Sequence, residues 1–213
     1  MDINAIMQTI SVWALPLLLG VTLHEAGHAY AAYYLGDDTA ARQGRLSLNP
    51  LVHIDPVGTL MIPGFLILMG APFLFGYAKP VPVNVGRLRN PRRDDIIVSL
   101  AGPAGNILVA IIAAIALKIS LSYGFTQDEW IVQTAYITVM FNCLLAVFNL
   151  LPIPPLDGGR ILQALLPYNK AQALGQIERF GFFIVIGIIV FIPAVVQVPL
   201  GILMNLLLSV VGL

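Results

Sequence analysis

Charge is what this 213-residue chain has least of: 10% of its residues are charged, 58% are hydrophobic, and the mean hydropathy is +0.88. Soluble proteins carry about 25% charged residues, so this composition excludes an ordinary soluble fold and points to a membrane protein. The eleven basic and eleven acidic residues cancel, which leaves no electrostatic footprint for nucleic acid or for a strongly acidic partner. A single cysteine, Cys143, excludes an internal disulfide; lying in an apolar run, it reads as a small core residue. Linkers, low-complexity runs and internal repeats are missing too. The expectation is therefore one membrane-embedded domain over 1–213, with a core of about 3–167 and C-terminal helices over about 170–213. Basic residues are also missing near Met1, where a cleaved signal peptide needs them, so the first helix is expected to be retained.

What is present is a set of long uncharged runs: 3–23 continuing through 26–36, 58–75, 96–117, 130–151 and 180–213. A helix crosses a bilayer with about 20 apolar residues. The last run has 34 residues with Pro193 and Pro199 inside it, and reads as a helix, a break, and a second helix or re-entrant piece. The run 58–75 is interrupted by Pro63, Gly64, Gly70 and Pro72, and suits a segment that enters and leaves on one side. With that topology ten of the eleven basic residues share a face, Lys118 being the exception. The positive-inside rule puts that face in the cytoplasm of the cell membrane.

Chemistry concentrates at His24-Glu25-Ala26-Gly27-His28, an HExxH arrangement. Four helical residues turn through about 400°, so both imidazoles project from one face and can bind a single Zn²⁺. Glu25 is placed to act as general base toward water. Two histidines and a glutamate in an apolar run are costly unless paired or metallated. A catalytic zinc site needs a third protein ligand at similar depth. Asp157 fits, following an apolar helix in Asn149-Leu150-Leu151-Pro152-Ile153-Pro154-Pro155-Leu156-Asp157-Gly158-Gly159; it also suits a helix N-cap for 158–167. One zinc joins these residues only if the helices holding 24–28 and 130–151 both run toward the same face, which the re-entrant reading of 58–75 provides.

These residues resemble the site-2 protease family (M50) of intramembrane zinc metalloproteases. The HEAGH and NxxPxPPLDGG motifs carry the likeness. The segments Gly44 to Pro50, His53 to Pro56, Ala78 to Asn84 and Ala101 to Asn106 resemble its compact prokaryotic branch, which lacks a PDZ domain; no loop here is long enough to hold one. The resemblance implies an all-α polytopic membrane fold with a three-helix catalytic core, one Zn²⁺ held by His24, His28 and Asp157, and Glu25 as the catalytic carboxylate. It further implies hydrolysis of peptide bonds in or near the transmembrane segments of membrane-protein substrates, in regulated intramembrane proteolysis, with the site toward the cytoplasmic side. Asn149 corresponds to the family asparagine that orients substrate or stabilises the oxyanion; it equally suits a bond to helix backbone.

His53 stays open between a substitute ligand, an oxyanion-stabilising donor and a loop histidine packed against Asp55. Asn106 reads as interhelical glue among small residues. The alternation over 79–85 suits either an edge strand able to hold unwound substrate or a plain loop. The rival function is a membrane metal-binding scaffold or metal transporter, which predicts ligands repeated along a path, whereas the sequence offers one compact cluster.

Overall fold

The structure, a computed structural model, describes residues 3–70 and 79–213. Helix α1 (Ile3–Tyr34) is followed by the short α2 (Thr39–Arg42), a 3-10 turn (Pro50–Val52), a π-turn (Pro56–Met61) and α3 (Ile62–Leu68). Then come α4 (Pro91–Ser122), α5 (Trp130–Asn149), α6 (Asp157–Leu165), α7 (Tyr168–Ile177), α8 (Gly181–Phe191) and α9 (Ala194–Val210). The all-α expectation holds, and α1, α4 and α5 are each long and apolar enough to cross a membrane. They pack on one another as the expected three-helix core.

Helix boundaries follow from local chemistry. Helix α1 ends where Gly36 turns to φ 111° and Asp37 N–H donates back to Ala32 O at 2.9 Å, a left-handed cap that glycine adopts without a Cβ penalty. Helix α4 starts five residues before the uncharged run, with Pro91 in its first turn and Asp94 accepting the Asn90 N–H at 2.8 Å. The charges of Arg92 to Asp95 therefore belong to the helix, because a helix is limited by its caps rather than by the bilayer edge. In the C-terminal run the break comes at Pro193 alone; Pro199 lies inside α9, where it removes the hydrogen bond that would run to Val195 O without ending the helix.

The Arg89 N–H donates to Leu35 O at 3.0 Å, so α4 starts where α1 ends. The intervening chain thus returns to the face it left, as the re-entrant reading requires; of that run, 71–75 lie outside the described residues. Helix α4 then runs antiparallel to α1, and α5 returns to the same end, where Arg160 of α6 pairs with Asp95 of α4 at 2.6 Å. On the opposite half, Ala110, Ala113, Ala114, Val139 and Cys143 form a core of small side chains onto which α9 packs Leu203, Met204 and Leu207.

No strand occurs among the described residues, which corrects the edge-strand expectation for 79–85. Lys79 N–H donates to His53 O at 3.1 Å and Asn84 N–H to Asp37 Oδ2 at 2.6 Å, while Arg45 Nη2 donates to Lys79 O at 2.6 Å. With Pro80 and Pro82 lacking donors, the polar groups of this segment are taken by side chains and loops rather than by a ladder.

Close approach of α1 and α4 depends on glycine. A Cβ at Gly105 would stand 2.7 Å from Leu23 O, and one at Gly27 2.5 Å from Ala101 O, both backbone atoms. Gly105→Ala is expected to destabilise the fold by about 1–3 kcal/mol through overpacking, read as a lowered thermal unfolding midpoint in detergent. An unchanged midpoint would show that the two helices separate without cost.

Candidate metal centre

Two turns before its end, α1 presents His24 and His28 from one face, and the prolines after α5 turn the chain so that Asp157, first residue of α6, meets them. His24 Nε2 lies 3.1 Å from His28 Nε2, 3.4 Å separates His24 Nε2 from Asp157 Oδ2, and 3.3 Å separates His28 Nε2 from Asp157 Oδ1. All three residues are buried.

The outer nitrogens decide what faces inward. His28 Nδ1 lies 2.7 Å from the Val98 carbonyl oxygen, which only accepts, so this nitrogen carries the proton. His24 Nδ1 lies 2.7 Å from Asn106 Oδ1, whose amide nitrogen is turned to the carbonyl of Gly20 and to Asn142 Oδ1. Both neutral imidazoles therefore direct the Nε2 lone pair at the same point as a carboxylate. No hydrogen between them satisfies this arrangement, and Asp157 Oδ2 has no hydrogen-bond partner. A cation satisfies it. Ligands about 2.0–2.1 Å from a tetrahedral Zn²⁺ stand roughly 3.3 Å apart, which matches the three separations.

Glycines shape the cradle. A Cβ on Gly102 of α4 would collide with the His28 ring and stand 2.8 Å from His24 Cε1. Gly158 and Gly159 lie against the main chain of 150–154, so the turn that delivers Asp157 has no room for side chains there.

Glu25 is half-buried, and its Oε2 accepts the Val81 N–H at 2.7 Å. The extended segment 79–84 is thereby laid over the carboxylate. It is pinned at one end by His53 O and Arg45, and at the other by Asp37.

The other sequence-selected residues lie outside the trio that could hold a metal ion. His53 is fully buried and its Nε2–H donates to Ser47 O at 2.8 Å; Asp55 caps the π-turn through Val57 and Gly58 instead of meeting it. Asn149 donates its amide to Leu145 O at 3.0 Å. Asn106, read from sequence as interhelical glue, bonds His24 directly, and its partner Asn142 lies outside the sequence reading. The signal was present: a buried amide within an apolar span rarely lacks a function.

Gly102→Ala is expected to displace both imidazoles and lower zinc affinity at least about tenfold, as losses next to metal ligands do, measured by chelator competition. Retention of wild-type affinity would place the metal elsewhere.

A family model described as peptidase family M50 matches residues 118–192, which include α5 and the Asp157 turn. The chain is 41% identical over 172 residues to the Bacillus subtilis protein named "Putative zinc metalloprotease YwhC", covering 79% of this chain and 75% of that one. It is 33% identical over 175 residues to the Rip2 protein of Mycolicibacterium smegmatis, covering 81% of this chain and 64% of that one. Stage IV sporulation protein FB of Bacillus subtilis is 27% identical over 175 residues, covering 80% and 47%. No solved structure matches. With the HExxH helix, the aspartate turn and these relatives in agreement, the chain belongs to peptidase family M50, the zinc metalloproteases of the site-2 type.

Proposed function

We propose that this protein hydrolyses peptide bonds in or near the membrane-spanning segments of other proteins, with His24, His28 and Asp157 as zinc ligands and Glu25 as the catalytic carboxylate. The observation that carries the reading is the convergence of two Nε2 lone pairs and one carboxylate on a single point, beside a half-buried glutamate. The compact cluster lends nothing to the transporter or scaffold alternative, since the described residues hold no second group of ligands.

When bound, zinc supplies Lewis acidity that polarises the scissile carbonyl and makes water a better nucleophile. The chain's own residues do the rest. Glu25 accepts the proton of the attacking water and returns it to the leaving amine nitrogen. The Val81 N–H fixes one carboxylate oxygen and leaves the other for the proton. The Gly102 cradle keeps bulk away from the imidazoles. A helical substrate hides its carbonyls in its own hydrogen bonds, so cleavage requires local unwinding near residues of low helix propensity. His53 and Asn149, each bonded to nearby main chain, support the loop and the end of α5 in this reading.

The site lies at the end of the bundle where α1 ends and α4 begins, the end that gathers ten of the eleven basic residues. By the positive-inside rule it faces the cytoplasm. Sidedness is testable because Cys143, the only cysteine, is fully buried. Asp128→Cys is expected to react with an impermeant maleimide on intact cells and Lys170→Cys only after permeabilisation; the reverse pattern would invert the topology.

Activity is tested with purified protein and a panel of single-span substrates. Wild type is expected to cut, while Glu25→Gln lowers the rate at least about a hundredfold, as loss of a general base does. Chelation should abolish cutting and added zinc restore it. Tight zinc binding with no cutting of any substrate would overturn the protease reading.

A further inference from the structure

Two asparagines that the zinc chemistry does not itself require, one on α4 and one on α5, connect main-chain carbonyls of α1 and α5 to His24 on α1. Asn142 of α5 donates Nδ2 to Thr138 O at 2.9 Å. That carbonyl only accepts, so the orientation of Asn142 is fixed and its Oδ1 points to α4. There it accepts one Nδ2 proton of Asn106 at 3.0 Å, while the other goes to Gly20 O of α1 at 2.9 Å. Turning the Asn106 amide over would set its oxygen against two acceptors. Its Oδ1 is therefore held toward His24 Nδ1 at 2.7 Å. Each donor and acceptor in the chain forces the next, and both asparagines are completely buried, so no water competes.

We infer that Asn106 and Asn142 are positioning residues that fix His24 with its proton on Nδ1 and its Nε2 lone pair toward the metal. The inference rests on the reading of His24, His28 and Asp157 as zinc ligands. In a free histidine the two tautomers interconvert, and the partner of the outer nitrogen selects between them. An amide oxygen locked by two main-chain carbonyls makes that selection before any metal arrives. It also explains why two amides are tolerated within an apolar bundle: of the four hydrogen bonds the pair makes, one is internal, two go to main chain and one to His24.

A pair that only tied helices together would give the same contacts, and the two roles separate on substitution. Asn106→Asp keeps an acceptor for His24 Nδ1 but gives up the protons bonded to Gly20 and Asn142. Asn106→Leu keeps the volume and loses the acceptor. With positioning, Asn106→Leu weakens zinc binding about 10–100-fold and Asn106→Asp by less than about fivefold, the usual span for partners of metal ligands. Asn142→Leu, which leaves the Gly20 anchor, falls between them. Helix glue predicts the reverse order, because a buried carboxylate set against two carbonyl oxygens disrupts packing more than leucine does. That order, or equal affinities throughout, would overturn the inference. Zinc affinity of the full-length protein is read by competition with a chelator, independently of cleavage. If the leucine variants fail to fold, ¹⁵N imidazole spectra of zinc-free wild type decide: an Nδ1–H tautomer at His24 is expected, and an Nε2–H tautomer would overturn the proposal. A wild type that binds no zinc at all would instead sink the site reading beneath it.

Discussion

Two imidazole nitrogens 3.1 Å apart, each within 3.4 Å of one oxygen of the Asp157 carboxylate, are held inside an apolar helix bundle. Without a cation they repel, and in so apolar a setting each unsatisfied polar group is costly. The surrounding architecture is what holds them there. Outer hydrogen bonds to Val98 and Asn106 aim the rings, and the Asp95–Arg160 pair ties the aspartate-bearing helix to α4. Glycines at 27, 102 and 105 let α4 come close enough to supply both ring partners. Metal binding then converts a repulsive cluster into an attractive one, so the site and the fold share their stabilisation.

The bundle is unusual in what it leaves small. Where α4, α5 and α9 meet, the buried side chains are mostly alanine, with one valine and one cysteine. In lipid, helices gain little from burying large apolar groups against each other and more from close backbone approach. That closeness is what allows amides and histidines on three different helices to meet at hydrogen-bond distance.

The loop between α1 and α4 is organised by hydrogen bonds more than by burial. Arg45 and Asp37, both buried, and the His53 carbonyl hold the extended segment 79–84, and the Val81 N–H donates to the Glu25 carboxylate. A segment bonded mainly to side chains and loops is easier to rearrange than a strand within a sheet.

By itself the sequence indicated the membrane class, the three long helices, and His24, Glu25, His28 and Asp157 as the candidate site. Uncharged runs, a four-residue helical spacing and a proline-broken turn are local or compositional signals, and each bears directly on what the residues do. Helix ends were legible only roughly, since the charged residues at 92–95 continue α4 and Pro199 sits in the early turns of α9. Tertiary structure alone decided which partner each polar side chain takes. Residues 79–85 alternate like a strand, yet among the described residues no strand pairs with them. Asn106 and Asn142 are each one amide in an apolar run. Their meaning depends on a helix packed 36 residues away in sequence, and a hydrogen bond between helices is fixed by their approach and rotation, neither of which a linear pattern specifies.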